Sequence, residues 1–160
     1  MDRYDWSRLN HLQVGRLAEY WVKMEFTLWG FEVYSSEVDD RGIDFVVRGH
    51  SQEFLEVQVK SVRGFSYIFF PKDRFEPRPI LFGAIVLLFQ GQPPSHFLIP
   101  AEAWLSPNEL LVDREYEGRK SKPEYGINLS AKNMPLLVQY QFDQVVKRLL
   151  TQTSVNHPGT

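Results

Sequence analysis

Four polar side chains interrupt two otherwise apolar stretches of the sequence, and their types are those that bind a cation or move a proton. Asp44 lies in GIDFVV, and Glu56, Gln58 and Lys60 lie in EFLEVQVKSV. Because successive side chains of a strand point to opposite faces, Glu56, Gln58 and Lys60 would share one face and the apolar residues between them the other. The link RGHSQ predicts a turn that pairs the two strands and brings Asp44 to the same polar patch.

The composition of this patch suits a hard divalent cation. Magnesium binds carboxylate and carbonyl oxygens, keeps several waters, and usually takes only one or two protein carboxylates together with a substrate phosphate. In GRLAEYW, Gly15 and Glu19 are four residues apart on one helical stripe, so a neighbouring element could approach closely at the glycine and Glu19 could reach the patch. On a solvated sheet face, the same acids and Lys60 would also make ordinary cross-strand ion pairs, and the residues alone leave both interpretations open.

The elements that would position these side chains begin with a helix from about Trp6 to Trp29. Ser7 is predicted to cap the helix and Gly30 to end it. Its apolar stripe is predicted to consist of Leu17, Trp21, Met24 and Leu28, which recur at the three- and four-residue intervals of a helix. Three strands are predicted next, at FEVYSSE, GIDFVVRG and EFLEVQVKSV.

The second half of the chain is predicted to contain further strands and a final helix. An aromatic strand runs through GFSYIFF, and ILFGAIVLLFQ has no polar face, which indicates a strand buried on both sides. HFLIPAEAW indicates a strand that runs into a short helical turn, and residues 106–135 are loop-rich with one strand at YGINLS. The C-terminal helix is amphipathic, with the apolar residues Phe142, Val145, Val146, Leu149 and Leu150. We expect one domain over residues 1–151 and a flexible tail over 152–160.

The segments GRLAEYWVKMEFTLWGFEVYSSEVDDRGIDFVV and EVQVKS resemble the PD-(D/E)XK nuclease superfamily, in particular the branches near Holliday-junction resolvases and Mrr-type restriction endonucleases. The resemblance covers residues 15 to 61 closely and the following strands in outline. It implies an α/β fold with a restriction-endonuclease-like core, in which a mixed central β-sheet of about four strands is flanked by helices.

The resemblance also implies the roles of the polar residues. Asp44 matches the acidic metal ligand of the second strand, Lys60 the lysine that holds or activates the attacking water, and Glu19 the helix glutamate of these branches. Most members have Asp or Glu two residues before the lysine, where this chain has Gln58, whose amide oxygen can ligate a cation without adding charge. Glu56 is the acid that would compensate for that glutamine.

A metal-dependent DNA endonuclease is therefore the predicted function, with Mg²⁺ or Mn²⁺ held by Asp44, Glu56 and Gln58. A homodimer would suit the cutting of both strands of a symmetric target. The alternative is a nuclease-fold protein with weakened catalysis that acts as a nucleic-acid-binding or assembly subunit. The formal net charge of −2 argues against binding through bulk positive charge, so local contacts are needed, and the predicted ones are Arg63, Lys72, Arg74, Lys120 and Lys122.

Other site types find little support in the sequence. There is no cysteine, and the four histidines show no ligand spacing, so no zinc site is predicted. No apolar run approaches the roughly 18 residues that would span a bilayer, and the N-terminus MDRYDWSRLN is acidic and aromatic. We therefore expect a cytoplasmic protein with no membrane partner.

Overall fold

Two β-sheets and two longer helices make up the molecule. The computed structural model describes residues 2–35, 37 and 41–155. In chain order the helices and strands are α1 (His11–Leu28), β1 (Glu32–Ser35), β2 (Phe45–Arg48), β3 (Phe54–Arg63), β4 (Tyr67–Pro71), β5 (Leu81–Leu88), β6 (Ser95–Pro100), β7 (Leu111–Arg114), β8 (Glu124–Asn128), α2 (Met134–Leu137) and α3 (Phe142–Val155). Within the described residues, short 3₁₀ helices lie at Trp6–Arg8, Ala101–Leu105 and Val138–Tyr140.

The larger sheet is mixed and has the strand order β1-β2-β3-β5-β6. Strands β3 and β5 are parallel, and the other neighbours are antiparallel. The smaller sheet is antiparallel with the order β4-β8-β7. The α/β class and the mixed central sheet are thus confirmed, but the second sheet is an addition. Strand β7 falls where the sequence predicted loop, because its four residues, LVDR, carry too short an apolar pattern.

Strand β5 separates two hydrophobic cores. All eight of its residues are buried, as the sequence predicted. Phe82, Ala84, Val86 and Leu88 belong to the core that α1 and α3 cover, and Leu81, Ile85 and Leu87 belong to the core under the smaller sheet. Since neighbouring residues of a strand face opposite ways, the helices and the smaller sheet cover opposite faces of the larger one. Successive side chains of β3 therefore face the two cores in turn.

The first helix begins later than the sequence predicted. A 3₁₀ turn occupies Trp6–Arg8, and α1 starts only at His11. Asn10 rather than Ser7 caps α1, because the Asn10 side chain accepts from the backbone N–H of Gln13 while the Gln13 side chain accepts from the N–H of Asn10. This reciprocal pair satisfies two of the donors that a helix start leaves free. Gly30 ends the helix with a positive φ of 82°, as expected.

The buried face of α1 also differs from the predicted stripe. The residues that contact the sheet core are Val14, Ala18, Val22 and Phe26. Of the predicted stripe, Leu28 is 73% exposed and Met24 43% exposed. Leu17 is partly buried against this core, whereas Met24 and Leu28 lie largely outside it.

Helix α3 closes the same core with the predicted residues. Phe142, Val145 and Val146 are buried, and Leu149 and Leu150 pack against them. The predicted tail starts at residue 152, and the helix itself continues to Val155. Residues 156–160 lie outside the described residues. No helix within the described part of the chain combines the length and apolar character needed to cross a membrane.

Gly83 of β5 gives a direct test of this packing. A Cβ added at Gly83 would lie 2.9 Å from Cζ of Phe70 and 3.4 Å from Cη2 of Trp104. We expect Gly83→Ala to lower the free energy of unfolding by about 1–3 kcal/mol, because both rings are buried and cannot move away freely. Urea unfolding followed by circular dichroism measures this change.

Gly15→Ala is the matched control. The sequence predicted a close approach of another element at Gly15, but no atom lies within 4 Å of an added Cβ. That expectation was wrong: Gly15 is half-buried, but no other element approaches the position of its missing side chain. In this helix interior the substitution is expected to raise stability by about 0.5–1 kcal/mol. Equal losses for the two variants would contradict the packing described here.

Candidate functional site

Asp44 lies where β2 and β3 separate. The ladder between the two strands ends at the pair Phe45 and Val57. The backbone N–H of Asp44 donates to the carbonyl of Val57 at 3.0 Å, and its carboxylate Oδ2 accepts from the N–H of Val59 at 2.5 Å. The carboxylate thus replaces the strand partner that β3 has lost. This bond holds Asp44 against the middle of β3.

A cavity of about 390 Å³ opens at this point, on the side of the larger sheet that faces the smaller one. Three of the predicted catalytic residues, Asp44, Gln58 and Lys60, line it. The remaining polar lining comes from the segment after β4 and the segment before β8, and consists of Asp73, Arg74 and Lys122. The structure therefore brings two carboxylates, one amide and three cationic side chains to the wall of one cavity.

Gln58 is the most unusual residue of the cavity. It is 7% exposed, and among the described residues its Oε1 has no hydrogen-bond partner. A buried carbonyl oxygen without a partner costs about 1–3 kcal/mol relative to a satisfied one. A cation or a bound water would supply the missing partner. The amide oxygen, the nearby Asp44 carboxylate and the main-chain carbonyls of β3 form the oxygen-only set that suits Mg²⁺ or Mn²⁺.

Lys60 lies two residues further along the same face of β3. Its Nζ is 5.7 Å from the ring centre of Phe70, a residue of the smaller sheet. Among the described residues no carboxylate comes within ion-pair distance of this ammonium. The stem of Lys60 is therefore held by packing on Phe70, while the charge is available to a ligand in the cavity.

The structure does not bring the two other predicted acids to this cavity. Glu56 accepts two hydrogen bonds from the guanidinium of Arg78 and lines a neighbouring hollow of about 360 Å³. Glu19 pairs with Arg16 at 3.3 Å on α1, and α1 covers the opposite face of the sheet. In the described part of the chain, Glu19, Asp44 and Glu56 do not form a cluster with metal-ligand spacing. Asp44 and Gln58 are the predicted ligands that remain together.

Some of the predicted nucleic-acid contacts line the cavity, and others lie away from it. Arg74 and Lys122 line the cavity, and Lys122 lies 3.2 Å from Asp73. Lys120 is exposed and lines neither the cavity nor the neighbouring hollow. Arg63 donates to the carbonyl of Leu9 beside α1.

Lys72 has a structural role instead. Its ammonium pairs with Asp113 at 2.5 Å and with Glu115, and it lies 4.6 Å from the ring centre of Tyr125. Burial opposes the charge of Lys72, but the hydrogen bonds to both carboxylates raise the pKa of the ammonium above its ordinary value. This cation joins β7 and β8 to the end of β4 and is not available to a phosphate.

Asp73 and Gly42 also belong to the cavity. Asp73 lies in PKDRFEPR between the predicted contacts Lys72 and Arg74, but outside any strand, so no strand pattern could have indicated it. Gly42 has a positive φ of 74°, and an added Cβ would lie 3.0 Å from both Cβ and the carbonyl oxygen of Arg74. Only glycine allows the chain before Asp44 to pass so close to Arg74.

Solved structures of two nucleases are similar to this chain. No family model matches it, and no curated protein matches its sequence significantly. The Holliday junction resolvase Hjc of Archaeoglobus fulgidus aligns with 14% identity and a TM-score of 0.53, over 83% of this chain and 95% of that one. The bacterial homing endonuclease I-Ssp6803I aligns with 15% identity and a TM-score of 0.57, over 91% of this chain and 95% of that one. At these identities the likeness establishes the fold, and it confirms the predicted restriction-endonuclease-like core.

Proposed function

We propose that this protein is a metal-dependent endonuclease that hydrolyses phosphodiester bonds of DNA at the cavity lined by Asp44, Gln58 and Lys60. The observation that carries the proposal is the buried Oε1 of Gln58, which lacks a partner and lies beside a fixed carboxylate and a lysine. The fold shared with a Holliday junction resolvase and a homing endonuclease supports a nuclease activity.

The residues of the cavity fit a hard cation. Asp44 and Gln58 would hold Mg²⁺ or Mn²⁺ together with a main-chain carbonyl of β3. When bound, such an ion supplies Lewis acidity toward a phosphate oxygen and lowers the pKa of a bound water. Glu56 stays a candidate ligand only if its bond to Arg78 is released, and Glu19 only if its side chain leaves Arg16.

The chain's own cations would do the remaining work. Lys60 would orient the attacking water or stabilise the negative charge that grows on the phosphate. Arg74 and Lys122 would hold the phosphates next to the scissile one, because both line the cavity and both extend from its outer wall. In-line attack would leave a 5′-phosphate on the product.

Incubation with DNA tests the proposal. Duplex, branched and single-stranded DNA are each mixed with the protein in Mg²⁺, in Mn²⁺ or in excess chelator, and the products are resolved by denaturing electrophoresis. We expect metal-dependent cleavage with 5′-phosphate ends, and none with an Asp44→Ala variant prepared in parallel. Cleavage that survives in this variant would place the activity elsewhere. Tight DNA binding without cleavage in any metal would favour the weakened, binding form of the fold.

The contribution of Arg74 to DNA binding can be measured separately. Arg74 is exposed, and the described residues offer it no ion-pair partner. We expect Arg74→Met to weaken binding about equally for all DNA sequences and to reduce the slope of log Kd against log salt by about one unit. Fluorescence anisotropy in chelator measures both quantities. Lys132→Met is the control, because it removes another exposed cation, one that pairs with Glu109 and does not line the cavity. An equal effect of the two changes would contradict the phosphate role.

We further propose that the protein acts as a homodimer, because two active sites related by two-fold symmetry can cut both strands of a symmetric target. Light scattering after gel filtration, with and without a duplex target, measures the mass of the particle. A particle with one protein chain per DNA that still makes double-strand breaks would contradict the dimer.

A further inference from the structure

A second group of metal-binding side chains lies on the helix-covered side of the larger sheet. Glu25 of α1, His96 of β6 and Asp143 of α3 each place one ligand atom within 4.8 Å of the others. Nε2 of His96 and Oε2 of Glu25 are 3.5 Å apart. In the part of the chain that the structure describes, this is the one group of three or more such residues at ligand spacing. It is separate from Asp44, Gln58 and Lys60, which face the other core.

We propose that Glu25, His96 and Asp143 form a second divalent-metal site that takes Zn²⁺. Imidazole nitrogens and carboxylate oxygens are both zinc ligands, and three protein ligands leave a fourth position for water. Zinc bonds of about 2.0–2.2 Å at tetrahedral angles place ligand atoms roughly 3.3–3.6 Å apart. The pair formed by Glu25 and His96 already has this spacing, and the ligand atom of Asp143 lies within 4.8 Å of both.

Two of the three ligands are largely shielded from solvent, because the side chains of Glu25 and His96 are only 16% and 19% exposed, whereas Asp143 is exposed. Nδ1 of His96 is buried and has no hydrogen-bond partner among the described residues. Nε2, which faces Glu25, is therefore the nitrogen that would bind the ion. The indole N–H of Trp29 donates to Oδ1 of Asp143 at 3.3 Å and orients that carboxylate.

The backbone also fixes the relative positions of two of the ligands, His96 of β6 and Asp143 of α3. An isolated bridge pairs Phe97 with Gln141, so His96 and Asp143 each lie within two residues of a backbone contact between β6 and the start of α3. The ring of Phe142 packs 5.2 Å from that of His96, centre to centre. A cavity of about 380 Å³, lined by His96 and Asp143 among others, gives an ion and its water a path from solvent. A bound ion would therefore connect α1, β6 and α3.

Calorimetry and thermal unfolding with Zn²⁺ test the site. All variants carry Asp44→Asn, so that the first cavity is weakened. In this background we expect one equivalent of Zn²⁺ to bind and, at about 100 times its Kd, to raise Tm by roughly 5–10 °C. Glu25→Gln and Asp143→Asn, which keep the shape of each side chain, are expected to weaken binding at least tenfold. Glu102→Gln, a change at an exposed acid outside the group, is expected to leave binding unchanged.

Cobalt provides a second measurement that reports on the ligands themselves. Co²⁺ at this site is expected to give visible absorption bands of four- or five-coordinate strength, and Glu25→Gln and Asp143→Asn should abolish them. The proposal is overturned if Zn²⁺ does not bind, or if it binds equally well to both variants and to the Glu102→Gln control. It is also overturned if restoring Asp44 is required for binding. None of these outcomes depends on DNA cleavage.

Discussion

Lys60→Met is expected to lower the single-turnover rate of DNA cleavage by about 100- to 1000-fold, with little change in the affinity for Mg²⁺. Methionine keeps the apolar stem that packs on Phe70 and removes only the ammonium. The metal ligands proposed for the cavity are oxygens, so binding of the ion would not require the lysine. A loss in rate without a loss in metal affinity would thus identify Lys60 as a group that acts on the water or the phosphate.

The matched control is Lys147→Met. Lys147 also places its ammonium over an aromatic ring, 5.5 Å from the centre of Trp29, but on α3 and away from the cavity. This variant should cleave DNA at the wild-type rate. Rapid-quench measurement of the cleavage step and calorimetric titration with Mg²⁺ give the two quantities for each protein. Wild-type cleavage by Lys60→Met would remove the lysine from the mechanism.

The part of the cavity wall that could be predicted from the sequence depends on local geometry. Alternation along one strand places Gln58 and Lys60 on the same face, and a short hairpin brings Asp44 beside them. Both relations follow from a few consecutive residues and need no knowledge of the remaining chain. The strand β5 was predictable for the same reason, since an unbroken apolar run can only be buried on both sides.

The rest of the site depends on contacts between distant segments. Alternation also places Glu56 on the polar face, but its carboxylate is bound by Arg78, which the loop before β5 brings there. Helix α1 was predicted, yet which of its two adjacent apolar stripes faces the sheet depends on packing, and this rotation decides where Glu19 lies. Asp73 comes from a loop, where no periodic pattern exists.

The group on the helix-covered side of the larger sheet also could not be predicted from the sequence. Histidine spacing along the chain gave no sign of a metal site, because Glu25, His96 and Asp143 come from three elements that only the fold brings together. Spacing rules detect ligands within one turn or one loop. They do not detect a site in which each element supplies one ligand.

Gln58→Glu is expected to tighten Mg²⁺ binding by roughly 10- to 100-fold and to raise the cleavage rate when the ion is below saturation. A carboxylate at this position adds a charge next to Asp44 and directly on the wall of the cavity. Because residue 58 is 7% exposed, the same charge is costly when no ion is bound. The variant should therefore unfold at a lower temperature than wild type in chelator and gain more than wild type from added Mg²⁺.

Gln58→Met is the matched control. It is expected to change stability in chelator and affinity for Mg²⁺ in the directions opposite to those of Gln58→Glu. It removes the buried oxygen that lacks a partner and keeps a side chain of similar length. Stability in chelator should be equal to wild type or higher, because no unsatisfied polar atom remains, whereas Mg²⁺ affinity should fall. A fall in Mg²⁺ affinity in Gln58→Met, together with the rise in Gln58→Glu, would support the Oε1 of Gln58 as a ligand atom. If neither variant changes the affinity for Mg²⁺, Gln58 does not bind the metal, and Asp73 becomes the residue to test in its place.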